Sequence, residues 1–121
     1  ASMQLEAQAV SRAEFHERAG FAISYLPLAD FARFKAVKSD AEPVINALRS
    51  IAGVNVACMR RQHEDCIRGS LRAKDDTDVS AIARSFGGGG HVAAAGFTMH
   101  CSMQEAVDQV RAALQEAVCA R

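Results

Sequence analysis

The sequence predicts a single small α/β (α+β) domain in which helices cover a central mixed sheet of about four strands. Three observations carry this expectation. A length of 121 residues fits one domain and is enough to bury a core without disulfides or a structural metal. Half of the residues are apolar, and no apolar run approaches a membrane span. Segments with the two-residue alternation of strands are interleaved with segments at helical spacing.

Residues 3 to about 18 read as a polar helix ended by Gly20, and 22–26 as a strand closed by Pro27. Leu28, Phe31 and Phe34 recur at helical spacing, which suggests a helical turn on the sheet. Ser39 with Glu42 forms a capping-box pattern and Pro43 suits a first turn. The helix this predicts runs to Ile51, with Val44, Leu48 and Ile51 buried. Residues 54–61 and 66–74 read as two strands of a hairpin around "QHED". Strand alternation then puts Ile67, Gly69, Leu71 and Ala73 on a core face and Arg68, Ser70, Arg72 and Lys74 on a cationic one. Asp76, Thr77 or Asp78 can cap a helix carrying Val79, Ile82 and Phe86. After a glycine run, "GFTMHC" reads as a strand with Phe97, Met99 and Cys101 inward. Ser102 and Glu105 then open a final amphipathic helix bearing Val107, Val110, Leu114 and Val118.

Fourteen basic and fourteen acidic residues cancel, which argues against coating long nucleic acid by bulk charge. Any anion site must be local. Cys58, Cys66, Cys101 and Cys119 are irregularly spaced and no secretory pattern opens the sequence, so reduced thiols in a cytoplasmic protein are expected, with no membrane partner. Cys58, His63 and Cys66 lack the tight Cys-x-x-Cys knuckle of structural zinc, and buried thiols are the simpler explanation. The six phenylalanines read as core.

The chemistry concentrates in "SFGGGGHVAAAGF", residues 85–97. His91 stands where a phosphate loop of nucleoside triphosphatases needs lysine, and the run follows a helix rather than a strand, against a dinucleotide fingerprint. Two readings remain. In one, exposed amides and His91 make an anion-binding concavity; in the other, the run is a glycine-rich surface hinge. The nearby Arg68, Ser70, Arg72 and Lys74 favour the first, since arginine captures phosphate through two parallel hydrogen bonds.

The segment "IRGSLRAKDDTDVSAIARSFGGGGHVAAAGF" closely resembles the C-terminal DHH-associated domain of the DHH phosphoesterases, which include nano-RNase and pAp-phosphatase enzymes, RecJ-type exonucleases and cyclic-dinucleotide phosphodiesterases. The resemblance covers nearly the whole chain. It implies a substrate-binding role, with Ser70 and Arg72 on the strand that contacts substrate and Gly88, Gly89, Gly90 and His91 in the loop that holds phosphate. Arg68 and Lys74 are further candidate contacts, and Ala94, Ala95 and Gly96 are small for packing. The family often has a small polar residue after this arginine, where Ala73 stands here.

The resemblance also implies that residues 1–19 are an N-terminal helix, a candidate linker from a preceding catalytic domain, and that 20–121 are the DHH-associated domain. The Asp-His-His run that holds two metals in the family does not occur in this sequence, and His16, His63, His91 and His100 stand apart. No catalytic residue, metal ligand or cofactor is therefore expected in this chain, and Mn²⁺ or Mg²⁺ is expected in the N-terminal DHH domain of the same parent chain. Alone, the chain is expected to bind a nucleotide or short single-stranded RNA or DNA without hydrolysing it. The alternative is a non-catalytic nucleic-acid-binding or interaction module like the C-terminal domain of alanyl-tRNA synthetases, whose sequences usually depart from the Gly-Gly-Gly-His pattern.

Overall fold

Leu5 and Ala9, four residues apart, are both fully buried, and their stripe explains α1 (Ser2–Arg12) in the computed structural model, which describes residues 2–119 and side chains 3–118. The Cys119 thiol counted above lies outside those side chains. The first helix ends at Arg12, short of the predicted Arg18, because Glu14–His16 form strand β1. It pairs antiparallel with β2 (Phe21–Leu26). Glu14 is fixed there by Arg111, whose Nε and Nη2 each donate to the carboxylate at 2.6 Å from 97 residues away. Local periodicity carries no trace of such a contact.

α2 (Leu28–Arg33), a 3₁₀ turn (Lys38–Ala41) and α3 (Glu42–Arg49) follow. The Ser39–Glu42 capping box does not form. Asp40 instead accepts the Val37 N–H at 2.9 Å, and α3 continues directly from the 3₁₀ turn with Ala41 at its N-cap and Pro43 in its first turn. These elements connect β2 to β3 (Val56–Gln62), which runs parallel to it, as a crossover connection must. β3 turns through residues 63–66 into antiparallel β4 (Ile67–Ala73).

Asp78 caps α4 (Val79–Ser85), accepting the amides of Ser80 and Ala81 at 3.0 and 3.3 Å. β5 (Gly89–His91) and β6 (Ala94–Met99) form a hairpin on β4. α5 (Met103–Cys119) opens with the predicted Ser102–Glu105 box, in which the Glu105 amide donates to Ser102 Oγ at 3.1 Å and Ser102 Oγ donates back to Glu105 at 3.2 Å.

Among the described residues the sheet has six strands in the order β1-β2-β3-β4-β6-β5, rather than about four. The two extra strands are three-residue edges, too short to show an alternation. One face, with Phe21, Cys58, Leu71, Phe97 and Met99, is sealed by α4 and α5 through Val79, Ile82, Val110 and Leu114. The other face is sealed at β2 and β3, where Ala22, Leu26, Ala57 and Met59 meet α1, α2 and α3. Beyond β3 this cover thins, with α3 still reaching β4. The residues of β4, β6 and β5 on that side run from half-buried to exposed.

Candidate functional site

Register defines what lies on the uncovered part of the sheet. Ala57, Arg72, Ala94 and His91 form one row across β3, β4, β6 and β5, while Met59, Ser70, Gly96 and Gly89 form the next. Arg61, Arg68 and Thr98 form a third row. Successive rows are two residues, about 7 Å, apart. Between Arg72 and His91 stands only the methyl of Ala94, and beside Ser70 lie two glycines in succession. By register this stretch, called the trough below, has little side chain at its middle, arginines of β3 and β4 on one side and the imidazole of β5 on the other.

Ser70 Oγ accepts a hydrogen bond from Arg61 Nη1 at 3.0 Å, which leaves the Ser70 hydroxyl proton to donate outward. Arg72 bonds the Leu71 carbonyl at 2.9 Å through Nη1 alone, so its remaining donors are available. Burial pushes the Arg61 pKa down and Arg68 and Arg72 add to this, while Glu42 acts against it. This basic group continues to the β3–β4 turn. There His63 is shifted down by burial and by Lys38, Arg68 and Arg61, and its Nε2 is buried without a partner. Lys74 stands apart from it, its ammonium donating to the Ile51 carbonyl at 3.2 Å across the α3–β3 turn.

The glycine run divides by cause. Gly87 follows α4 in the left-handed region at φ 80°, and the amides of Gly87 and Gly88 close the helix on the Arg84 and Ala83 carbonyls at 3.0 and 2.9 Å. A Cβ on Gly88 would lie 2.1 Å from the Gly96 carbonyl oxygen and 2.7 Å from Phe97 Cα. Gly90 sits at φ 148°, with Ala95 Cα 2.6 Å from any added Cβ. Gly89 differs from all three: its φ is not in the left-handed region and a Cβ there would meet nothing within 4 Å. The fold therefore accounts for Gly87, Gly88 and Gly90, but not for Gly89.

His91 is held by the backbone around it. The Val92–Ala93 turn accepts the Val79 N–H at 2.8 Å and the Ala73 N–H at 3.0 Å, which fastens the hairpin tip to the start of α4 and the end of β4. The structure places the expected Ser70, Arg72 and His91 on one face of the sheet and brings Arg61, which sequence reasoning did not single out, beside Ser70. The signal for Arg61 was the "MRRQ" pair at the end of a strand, where alternation must send one of two adjacent arginines to each face.

Among the described residues no three His, Cys, Asp or Glu side chains gather as metal ligands, so this chain's residues do not fit the pair of metals that the DHH resemblance implies. Cys58 is fully buried between β2 and β4, and burial pushes its thiol up to about 12, which makes it inert packing.

The chain is a small mixed α/β domain whose sheet is sealed on one face and carries Arg61, Arg68, Ser70, Arg72 and His91 on the open part of the other. The DHHA1 domain model matches residues 19–119, and the chain belongs to that family. It is 27% identical over 114 residues to the bifunctional oligoribonuclease and PAP phosphatase NrnA of Thermus thermophilus, covering 93% of this chain and 34% of the relative. The crystal structure of an exopolyphosphatase-related protein from Bacteroides fragilis superposes with a TM-score of 0.89 at 28% identity, over 95% of this chain and 34% of that one. The C-Ala domain of Aquifex aeolicus alanyl-tRNA synthetase shares the fold, with a TM-score of 0.58 at 18% identity over 84% of this chain and 96% of its own. The chain thus spans about a third of the length of the first two.

Proposed function

We propose that this chain is the substrate-holding domain of a cytoplasmic DHH phosphoesterase, and that it binds the phosphate of a nucleotide or short single-stranded nucleic acid in the trough between β4 and β5. In this reading Arg72 grips the phosphate through two donors, the Ser70 hydroxyl donates a third bond, and His91 and the outward amides of edge strand β5 close the opposite side. Arg68 extends the positive rim toward a second phosphate. Gly88 serves by close packing, since its amide is already bonded to Ala83. Hydrolysis would fall to an N-terminal DHH domain of the parent chain, whose Mn²⁺ or Mg²⁺ ions supply the activated water. The part left to this chain is to orient the phosphate.

The observation that carries the reading is Gly89, bare for no folding reason, on the same face as Ser70 and Arg72. Titration of labelled pAp or a short RNA tests it. Arg72→Ala should weaken binding by about 1.5–3 kcal/mol, the scale of a charge-assisted hydrogen bond, with thermal stability unchanged. Equal affinity of the two proteins would remove Arg72 from the site. Tight binding of tRNA in place of pAp and short RNA would favour the alternative of a synthetase-like module.

A further inference from the structure

Strand β3 sends two adjacent arginines to opposite faces. Arg61 joins the trough, while Arg60 lies in register with Gly69 and, through it, Phe97 on the α5 side, where it is 1% exposed. No carboxylate among the described residues is ion-paired with it. Its Nε and Nη2 reach only the Ser24 carbonyl, at 3.4 and 3.3 Å, and its Nη1 is buried with no partner. A buried guanidinium without a counter-charge is costly, and an apolar side chain of similar volume would stabilise the fold more.

The space beside Arg60 is a cleft of about 460 Å³ between the first half of α5 and the β1–β2 end of the sheet, a volume suited to a small ligand. Arg12, Glu14, Tyr25, Gln104 and Arg111 line it together with Arg60. Arg12 is neutralised by Asp30 at 2.6 Å, and Arg111 by Glu14 and Asp108. The guanidiniums of Arg12 and Arg60 lie 4.7 and 5.8 Å from the centre of the Tyr25 ring, which fixes both heads. The carboxylates around the cleft are bonded to Arg12 and Arg111, so Arg60 is the guanidinium there without a carboxylate of its own among the described residues.

We propose that this cleft is a second phosphoryl-binding site, on the opposite face of the sheet from the trough, in which Arg60 Nη1 is the central donor. Arg12 and Arg111, each held by its carboxylates, frame the cleft, and Gln104 stands at the mouth as a neutral donor. The shared chemistry is the phosphoryl oxyanion, whether carried by free phosphate or by a nucleoside monophosphate. The site stands independently of the trough.

The test is a titration of the ¹⁵N-labelled chain with inorganic phosphate and, separately, with AMP, in an Arg72→Ala background that silences the trough. Saturable amide shifts at Tyr25, Gln104 and Val107 are expected. Shifts with both probes assign free phosphate as sufficient, and shifts with AMP alone assign a nucleoside phosphate. Arg60→Met should keep a folded spectrum and lose at least about tenfold in affinity. Gln104→Glu, which adds a like charge at an exposed rim position, should lose about threefold and protects the test should Arg60→Met not fold. Absence of cleft shifts with either probe, shifts that persist in folded Arg60→Met, or an affinity unchanged by Gln104→Glu would each overturn the proposal.

Discussion

Replacing Gly88 and Gly89, one at a time, by alanine separates what the glycine run does for the fold from what it does for a ligand. An alanine Cβ at Gly88 would sit 2.1 Å from a carbonyl oxygen and 2.7 Å from a Cα, both backbone atoms that cannot swing aside. Overpacking of this kind costs about 1–3 kcal/mol, and the upper half of that range applies where backbone must move. For a domain of this size a loss of about 2 kcal/mol lowers Tm by about 8 °C. At Gly89 the same methyl meets nothing within 4 Å and the backbone is not left-handed. Gly89→Ala should therefore leave Tm unchanged or raise it by a few degrees, because it removes about 0.4–1 kcal/mol of unfolded-chain entropy. The methyl nevertheless projects into the trough beside Gly96 and Ser70, where a bound phosphate would touch the backbone. Affinity for pAp should fall about tenfold or more. Thermal melts and a fluorescence titration on the two variants suffice. A Gly89→Ala protein that binds as tightly as wild type would refute the placement of the ligand, and a Gly88→Ala protein as stable as wild type would refute the packing argument.

The purified chain, mixed with pAp or short RNA and excess Mn²⁺, should give no product by chromatography, and turnover abolished by a substitution within this chain would contradict the assignment of hydrolysis elsewhere. Arg61→Ala should reduce ligand affinity several-fold, about 1 kcal/mol, by releasing the Ser70 hydroxyl from its fixed orientation, and a double-mutant cycle with Ser70→Ala should show the two effects to be non-additive. Glu14 is held down from the usual 4.5 to about 2, chiefly by its hydrogen bonds from Arg111. A carboxylate depressed in the folded state stabilises the protein above its unfolded value and loses that contribution as pH falls toward the folded one. Urea midpoints of wild type should thus drop more steeply than those of Glu14→Gln between about pH 5 and pH 2, and parallel curves would show that the Glu14–Arg111 pair does not couple to folding.

What was legible in the sequence was whatever a short window of chain encodes. The alternation of 67–74 gave the cationic face of β4, the Ser102–Glu105 box opened α5, and the segment from Ile67 to Phe97 carried the family resemblance. The losses share one physical cause. β1 exists because Arg111 reaches back to Glu14, and β5 because its three residues find β6, so neither has a pattern of its own. The run to Arg18 looked helical because polar residues do not contradict a helix, while the contact that breaks it lies on another element. Arg61 was missed for a related reason, since its role depends on cross-strand pairing with Arg68 and on its bond to Ser70.

In the proposed reading, a neutral chain holds an anionic group because its positive charge is clustered. Net charge is zero, yet beyond β3 the cover of α1, α2 and α3 thins to the contact of α3 with β4, and arginines cluster on that open side. Beside the larger effect of burial and against that of Glu42, Arg68 and Arg72 push the Arg61 pKa down. A phosphate bound between these arginines would offset their repulsion. The strand backbone keeps the donors from spreading apart to relieve it themselves: Arg72 and Ser70 sit on a strand paired on both sides, and the His91 hairpin is bonded to both α4 and β4. Donors fixed before the ligand comes lose little freedom on binding, and a phosphate held by them is held in one orientation. Under the proposed division of labour, orientation of that kind is what a metal-bearing partner domain would require of this one.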